Sequence, residues 1–443
     1  MTPSIKYIQA DEAVRQIHLG DHLYWPCVAA APELLIQALV RRADRGELAD
    51  IHISHFYTEG YADYVLPQYK GIFQLDSFFV GANVRKATQE GQADYIPCSL
   101  SECPRFISSG TLGCDVVMLT VSEPDESGCV SLGTSVDYMP EAIARARVVL
   151  AVVNSRMPHT YGDALLQLTS GGPSGTAIAI AGREVPVFFV RHDHPLAEAG
   201  RAPLTAIDTA IGRHAAALIP DGATLQIGIG NIPTAVLAQL GDHKDLGVHS
   251  EMFTDDVIPL VEKGVINGRL KKTDPGKLVA MFLKGNQPLY DFVDRNPQVL
   301  MKDVGYTNSP MVISQNPRVV ALNSAIEIDL TGQVCSDSIG SRIFSGSGGQ
   351  LDFVIGATYS PGGIPIIAMP SLTAKGRSKI VPSLTPGAGV VTPRTLTQWV
   401  VTEHGAVNLY GRPLRERARL LISIADPSVR ESLQAAAHDL SLI

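Results

Sequence analysis

Short aliphatic runs recur along the chain, and stretches with helical spacing of apolar positions lie between them. Residues 148–153 (VVLAVV), 177–180, 185–190, 224–229, 319–322, 366–369 and 399–402 are such runs, apolar with little alternation. A strand apolar on both faces suits a sheet that is covered on both sides. Residues 32–42 and 233–240 carry the helical pattern. Strands alternating with helices in this way predict an α/β architecture.

The pattern also repeats. Residues 20–39 (GDHLYWPCVAAAPELLIQAL) can be laid on residues 221–240 (DGATLQIGIGNIPTAVLAQL), which brings Pro32 onto Pro233, an offset of 201. Further on, EPDESGCV from Glu123 matches EIDLTGQV from Glu327, an offset of 204. Two matches at nearly one offset predict two similar α/β halves. The segment RHDHPLAEAGRAPL at 191–204 reads as the link between them, so the expected domains are 1–195 and 196–443. Its His192, Asp193 and His194 lack a defined further ligand and read as a solvated turn.

Length agrees with two domains: the 443 residues exceed the roughly 250–300 at which a single core stops growing. A net charge of −8 gives no basic footprint for nucleic acid. The N-terminal MTPSIKYIQADEAVRQ has no apolar signal core, and no run of about 18 apolar residues occurs, so no membrane span is expected. The six cysteines form no CxxC pair and read as thiols in a reducing compartment. Together these features predict a cytoplasmic protein.

Three segments carry candidate chemistry. Gly228-Ile229-Gly230-Asn231-Ile232-Pro233 follows an apolar strand and opens a helix, where backbone N–H groups can approach an anion. It lacks the last glycine of a dinucleotide fingerprint, and no P-loop motif is present, so nicotinamide and P-loop chemistry are disfavoured. HSEMFTDD (249–256) is expected to end a strand at Glu251 and begin a helix directly after it. Glu251 then either complements that helix dipole or reacts. Laying ISHFYT (53–58) on HSEMFT (249–254), an offset of 196, matches Glu251 with His55, so the halves differ at this position. SGSGGQLDF (345–353) offers a second glycine cluster, either a flexible turn or a source of oxyanion donors.

These segments, together with EPDESGCVSLGTSVDY (123–138), YTNSP (306–310), NSAIEIDLTGQV (323–334), AKGRSKIVP (374–382) and VVTEHG (400–405), resemble the acetyl-CoA hydrolase/transferase branch of the family I CoA-transferases. Within it the chain is similar to the 4-hydroxybutyrate and butyryl-CoA:acetate CoA-transferases. The resemblance implies two NagB/RpiA-type α/β domains with the active site at their interface, usually as a homodimer. It implies that Glu251 becomes a glutamyl-CoA thioester. Gly228, Ile229, Gly230, Asn231 and Ile232 correspond to the CoA-binding loop, with the Ile229 N–H in the oxyanion hole. Gly349 corresponds to a glycine at the thioester, beside Gly348, and Lys375 to a CoA-contacting lysine. Asn308 and Glu403 correspond to groups that position the nucleophile. His404 stands where many relatives have tyrosine.

The function implied is transfer of CoA from an acyl-CoA to a small carboxylate by a ping-pong route. Acetate, butyrate, 4-hydroxybutyrate and dicarboxylates such as itaconate or succinate are the candidate acceptors. His55, Arg85 and Arg156 are candidate partners for a second carboxylate. No permanently bound cofactor and no metal are expected; coenzyme A enters only as substrate. The rival readings are an acyl-CoA hydrolase using the same intermediate and a non-catalytic acyl-CoA-binding sensor.

Overall fold

The computed structural model describes residues 5–200 and 202–443. It contains two compact units. One comprises Met1–Ala199 with Val279–Thr307, the other Gly200–Leu278 with Asn308–Ile443. The expected linear boundary at 195/196 thus lies near the end of the first segment, but the Val279–Thr307 stretch belongs to the first unit by its packing. No local composition change marks that excursion.

In the first unit, strands Ile51–His55, His22–Tyr24, Val116–Val121, Val148–Val153 and Arg183–Arg191 lie side by side in that order, all parallel. Val116–Val121 and Val148–Val153 are buried at every position, as their almost wholly apolar sequences require, with Thr120 the one polar residue. Each fully buried Val or Leu contributes roughly 1.5–3 kcal/mol. Beyond Arg183–Arg191 the sheet continues antiparallel through Thr176–Ile180 and Leu165–Ser170.

In the second unit, Gly247–His249, Thr224–Gln226, Val319–Asn323, Ile364–Ala368 and Trp399–Thr402 follow the same five-strand parallel order. The helix after the first strand of each repeat is Glu33–Asp44 in one unit and Asn231–Leu237 in the other. Both lie within two to three residues of expectation. The apolar run at 224–229 forms a strand only to Gln226, because Ile227 turns away to make other bonds described below.

The duplication extends to single hydrogen bonds. Asp125 Oδ1 accepts from the Ser127 and Cys129 amides at 2.9 and 2.8 Å. Asp329 Oδ1 accepts from the Thr331 and Gln333 amides at 2.9 and 3.0 Å. The hydroxyls of Ser127 and Thr331 donate to the same oxygens. Gly128 and Gly332 complete the two turns at φ +80° and +98°, where a Cβ is disfavoured. Among the described residues, no helix is long and apolar enough to cross a membrane.

Candidate active site

The chain around Glu251 is a tight turn between two strand segments of the second unit. Gly247–His249 ends the parallel strand, Glu251 sits in a bend, and Met252–Phe253 is extended again. Helical structure begins only at Asp255, capped by Thr254, whose Oγ1 accepts from the Asp256 amide at 3.3 Å. The expected helix directly after Glu251 is therefore corrected: the β-prone Met-Phe pair extends the chain before the Thr-Asp-Asp cap can start a helix.

The glycine-rich loop is tied to this turn by an antiparallel backbone bridge between Ile227 and Met252 and by side chains at two points. The Ile227 amide donates to Ser250 Oγ at 3.0 Å, and the Ser250 hydroxyl donates to the Ile227 carbonyl at 2.9 Å. Further along, Thr234 Oγ1 donates to Asp256 Oδ2 at 2.6 Å. Gly230, at φ +101°, turns the chain into the helix Asn231–Leu237. The Asn231 side chain does not face the loop's interior; its Nδ2 donates to Asp208 Oδ2 at 3.0 Å, fastening the loop to the capping box of Ala206–Ala216. Ile229 is 47% exposed, a large apolar side chain left open at the loop tip beside the half-buried Gly228 and Ile232.

A second set of residues meets the Glu251 carboxylate. Asn308 is fully buried, and its Nδ2 donates to Glu251 Oε2 at 3.0 Å. Its Oδ1 is buried with no hydrogen-bond partner among the described residues. Gly349 is the N-cap of the ten-residue helix Gln350–Tyr359. A Cβ built on Gly349 would overlap both Glu251 Oε2 and Asn308 Nδ2, so only glycine fits. Gly348, at φ +56°, makes the preceding turn. Glu251 does meet a helix N-terminus, but that of Gln350–Tyr359, far along the chain. Such an end stabilises negative charge, whether on a carboxylate or on an oxyanion.

Glu403 and Lys375 are associated with a further hairpin of the second unit. Glu403 accepts from the Ser371 amide at 2.8 Å and from the Ser371 hydroxyl at 2.7 Å. Its bonds thus hold the base of the hairpin whose exposed turn carries Lys375. His404 lies 3.7 Å from Glu403 and 3.5 Å from Asp426. Burial lowers the pKa of Lys379, in the same hairpin, to about 8, with the nearby Glu403 charge opposing the shift.

Two contributors were not singled out from sequence. Ser250 was part of a quoted motif without a role; its match to Ser54 in the repeat was the available signal. Lys271 gave none. It is 4% exposed, and its Nζ donates to the carbonyls of Val248 and Lys277 at 2.9 and 2.8 Å. Burial pulls its pKa down to about 7. It thereby braces the strand that leads into Glu251. His55, the counterpart of Glu251 in the repeat, is fully buried with Nε2 2.9 Å from Tyr64 Oη and Nδ1 2.7 Å from the Phe56 carbonyl. Burial lowers its pKa to about 4, so it is neutral and internally satisfied, a core histidine.

Comparison with known proteins places the chain in a family. Residues 4–191 match the acetyl-CoA hydrolase/transferase N-terminal domain, and residues 285–437 match the acetyl-CoA hydrolase/transferase C-terminal domain. The chain is 46% identical over 432 residues to the succinyl-CoA:acetate/propanoyl-CoA:succinate CoA transferase of Fasciola hepatica, covering 97% of this chain and 87% of that one. It is 42% identical to the 4-hydroxybutyrate coenzyme A transferase of Clostridium kluyveri, covering 97% and 96%. The crystal structure of RipA from Yersinia pestis superposes with a TM-score of 0.88 at 34% identity, covering 99% and 98%. The chain belongs to the acetyl-CoA hydrolase/transferase family.

Proposed function

We propose that this protein is an acyl-CoA:carboxylate CoA-transferase whose nucleophile is Glu251. The observation that carries the reading is the fit of the Glu251 carboxylate against Gly349 and Asn308, on a turn stapled to the glycine-rich loop. A neutral amide donor beside a helix N-terminus orients the carboxylate that it holds. The relatives at 42–46% identity are named as CoA transferases, which supports transfer over hydrolysis.

In the proposed reaction, a Glu251 oxygen attacks the thioester carbonyl of the acyl-CoA. The C–S bond breaks, giving an acyl-glutamyl anhydride and CoA thiolate. The thiolate attacks the glutamyl carbonyl, forming glutamyl-CoA and releasing the first carboxylate. An incoming carboxylate attacks this thioester, and the thiolate returns to the new anhydride, regenerating Glu251 and the new acyl-CoA. A thiol pKa near ~8.5 makes the thiolate a leaving group that needs no general acid. Each tetrahedral oxyanion is assigned to backbone donors of the two loops, the Ile229 N–H and the amides around Gly349. Gly228, Gly230, Asn231, Ile232, Gly348 and Lys375 are assigned to CoA contacts. Asn308 is assigned a direct hold on the nucleophile, and Glu403 an indirect one through the Ser371 hairpin.

The same reading includes a homodimer, a cytoplasmic location and no resident cofactor, resting on sequence and family resemblance. The acceptors assigned are small carboxylates, with acetate, 4-hydroxybutyrate and succinate first to be tried. The test is acceptor dependence. With acetyl-CoA or succinyl-CoA as donor, mass spectrometry should detect a new acyl-CoA for at least one added carboxylate. CoA release at one rate with and without carboxylates, and no new thioester, would identify a hydrolase instead.

A further inference from the structure

A second cluster of chemically capable side chains lies in the first unit. His22, His52 and Asp76 sit on three neighbouring parallel strands. His22 is the register partner of His52. Asp76 is the register partner of Ser54, two residues beyond His52 and so on the same face. One ligand atom from each of the three lies within 4.8 Å of the others, and all three residues are half-buried. The two imidazole rings are 4.7 Å apart between centroids. Because His22 and His52 are far apart in sequence, no ligand spacing could reveal them.

The surroundings are polar and unsatisfied. The Nε2 of His22 is buried with no hydrogen-bond partner among the described residues. The hydroxyls of Tyr24 and Ser54, residues that are themselves 0% exposed, interact with each other and have no other hydrogen-bond partner among the described residues. Tyr24 follows His22 by two positions and Ser54 follows His52 by two, so all three polar groups belong to one face of two paired strands. A buried imidazole nitrogen left without a partner is unfavourable, so His22 Nε2 calls for an occupant. Two imidazoles and one carboxylate are the donor set that binds zinc with a water in the fourth position. That water would meet the Tyr24 and Ser54 hydroxyls. Outer partners of the kind that orient metal ligands are also present. Asp50 lies 3.4 Å from His52 Nε2, and Gln74 Nε2 donates to Asp76 Oδ2 at 3.5 Å.

We propose that His22, His52 and Asp76 form a binding site for a first-row divalent metal ion of the zinc class, with Tyr24 and Ser54 hydrogen-bonding the ion's bound water. The site stands on its own residues and does not depend on the role assigned to Glu251. The test uses the full chain, freed of metal by chelation, and Co²⁺ as the probe. Wild type should take up one equivalent of Co²⁺ with visible d–d absorption and a raised melting temperature. His52→Gln and Asp76→Asn should each weaken binding by about tenfold or more. Neither substituted residue is fully buried, and circular dichroism of the metal-free variants checks their folding. His404→Gln, in the separate Glu403–His404–Asp426 group, should bind as wild type does. Absent Co²⁺ bands with an unmoved melting temperature would mean that the groups hold only water, and would overturn the proposal. Undiminished binding in both site variants, or loss only in His404→Gln, would overturn it equally.

Discussion

Ser250 and Ile227 hold each other by two hydrogen bonds, amide to hydroxyl at 3.0 Å and hydroxyl to carbonyl at 2.9 Å. Ser250 precedes Glu251, and Ile227 precedes Gly228. This side chain therefore sets, together with the backbone bridge between Ile227 and Met252, the distance between the carboxylate and the glycine-rich loop. Ser250→Ala would leave a buried N–H and a buried C=O of Ile227 without their partner, a destabilisation of about 2 kcal/mol or more. The turnover number should fall roughly ten- to a hundredfold through misplacement of the nucleophile. Ser250→Thr should recover part of both losses. Thermal melts and steady-state kinetics on the two variants check this; an unchanged turnover number in Ser250→Ala would remove Ser250 from any positioning role.

Gly349 is the tightest point of the site. Gly349→Ala forces a methyl group into the space of the Glu251 carboxylate and the Asn308 amide. The turnover number should drop by about a hundredfold or more, the scale of losing one oxyanion donor or misplacing a reacting group. The φ of −86° at this residue suits alanine, so the backbone itself is not strained by the change. A folded Gly349→Ala protein with near-normal turnover would show that Glu251 reacts from another position.

Asn308 separates hydrogen bonding from charge. Asn308→Asp sets a second carboxylate where Nδ2 now lies 3.0 Å from Glu251. Two carboxylates at that distance resist joint ionisation, and one pKa of the pair rises. The acid limb of the kcat/KM profile should therefore move up by about one pH unit or more, with activity recovering partly at higher pH. Asn308→Ala should lower activity without that displacement. Superimposable pH profiles for the two variants would contradict the contact's role.

Lys271 offers a test through stability. In the unfolded chain it keeps its proton up to pH ~10.4. Folded, it loses it at about 7 because burial disfavours the charge. Between these values the unfolded state binds more protons, so stability rises with pH. The burial cost is full below about pH 7 and gone near pH ~10.4. Unfolding free energies of wild type minus Lys271→Met should thus climb from pH 7 to 9.5, by up to about 1.4 kcal/mol per unit. A flat difference would mean that Lys271 titrates as it does in water.

Much of this was legible in the sequence because it is carried by local pattern. The uninterrupted apolar run at 148–153 is a doubly covered parallel strand. The offset between Asp125 and Asp329 is a duplicated turn down to its hydroxyl donors. Other relationships join residues that no local pattern connects. The approach of Gly349 to Glu251 spans nearly a hundred positions and depends on where the helix Gln350–Tyr359 begins. The Met252–Phe253 strand was missed because its two residues are too few to show a period. Lys271 reads as a surface lysine until Gly247, whose missing Cβ leaves room for its stem, is seen beneath it.

The central claim is that Glu251 itself carries CoA during turnover. The direct measurement is to incubate the protein with acyl-CoA, withhold acceptor, reduce with borohydride and map the modified peptide by mass spectrometry. The account predicts that the Glu251 thioester is reduced to the corresponding alcohol, a change confined to the peptide containing HSEMF. It also predicts no modification in Glu251→Gln. Modification of another residue, or an unmodified peptide from enzyme that is actively transferring CoA, would contradict it.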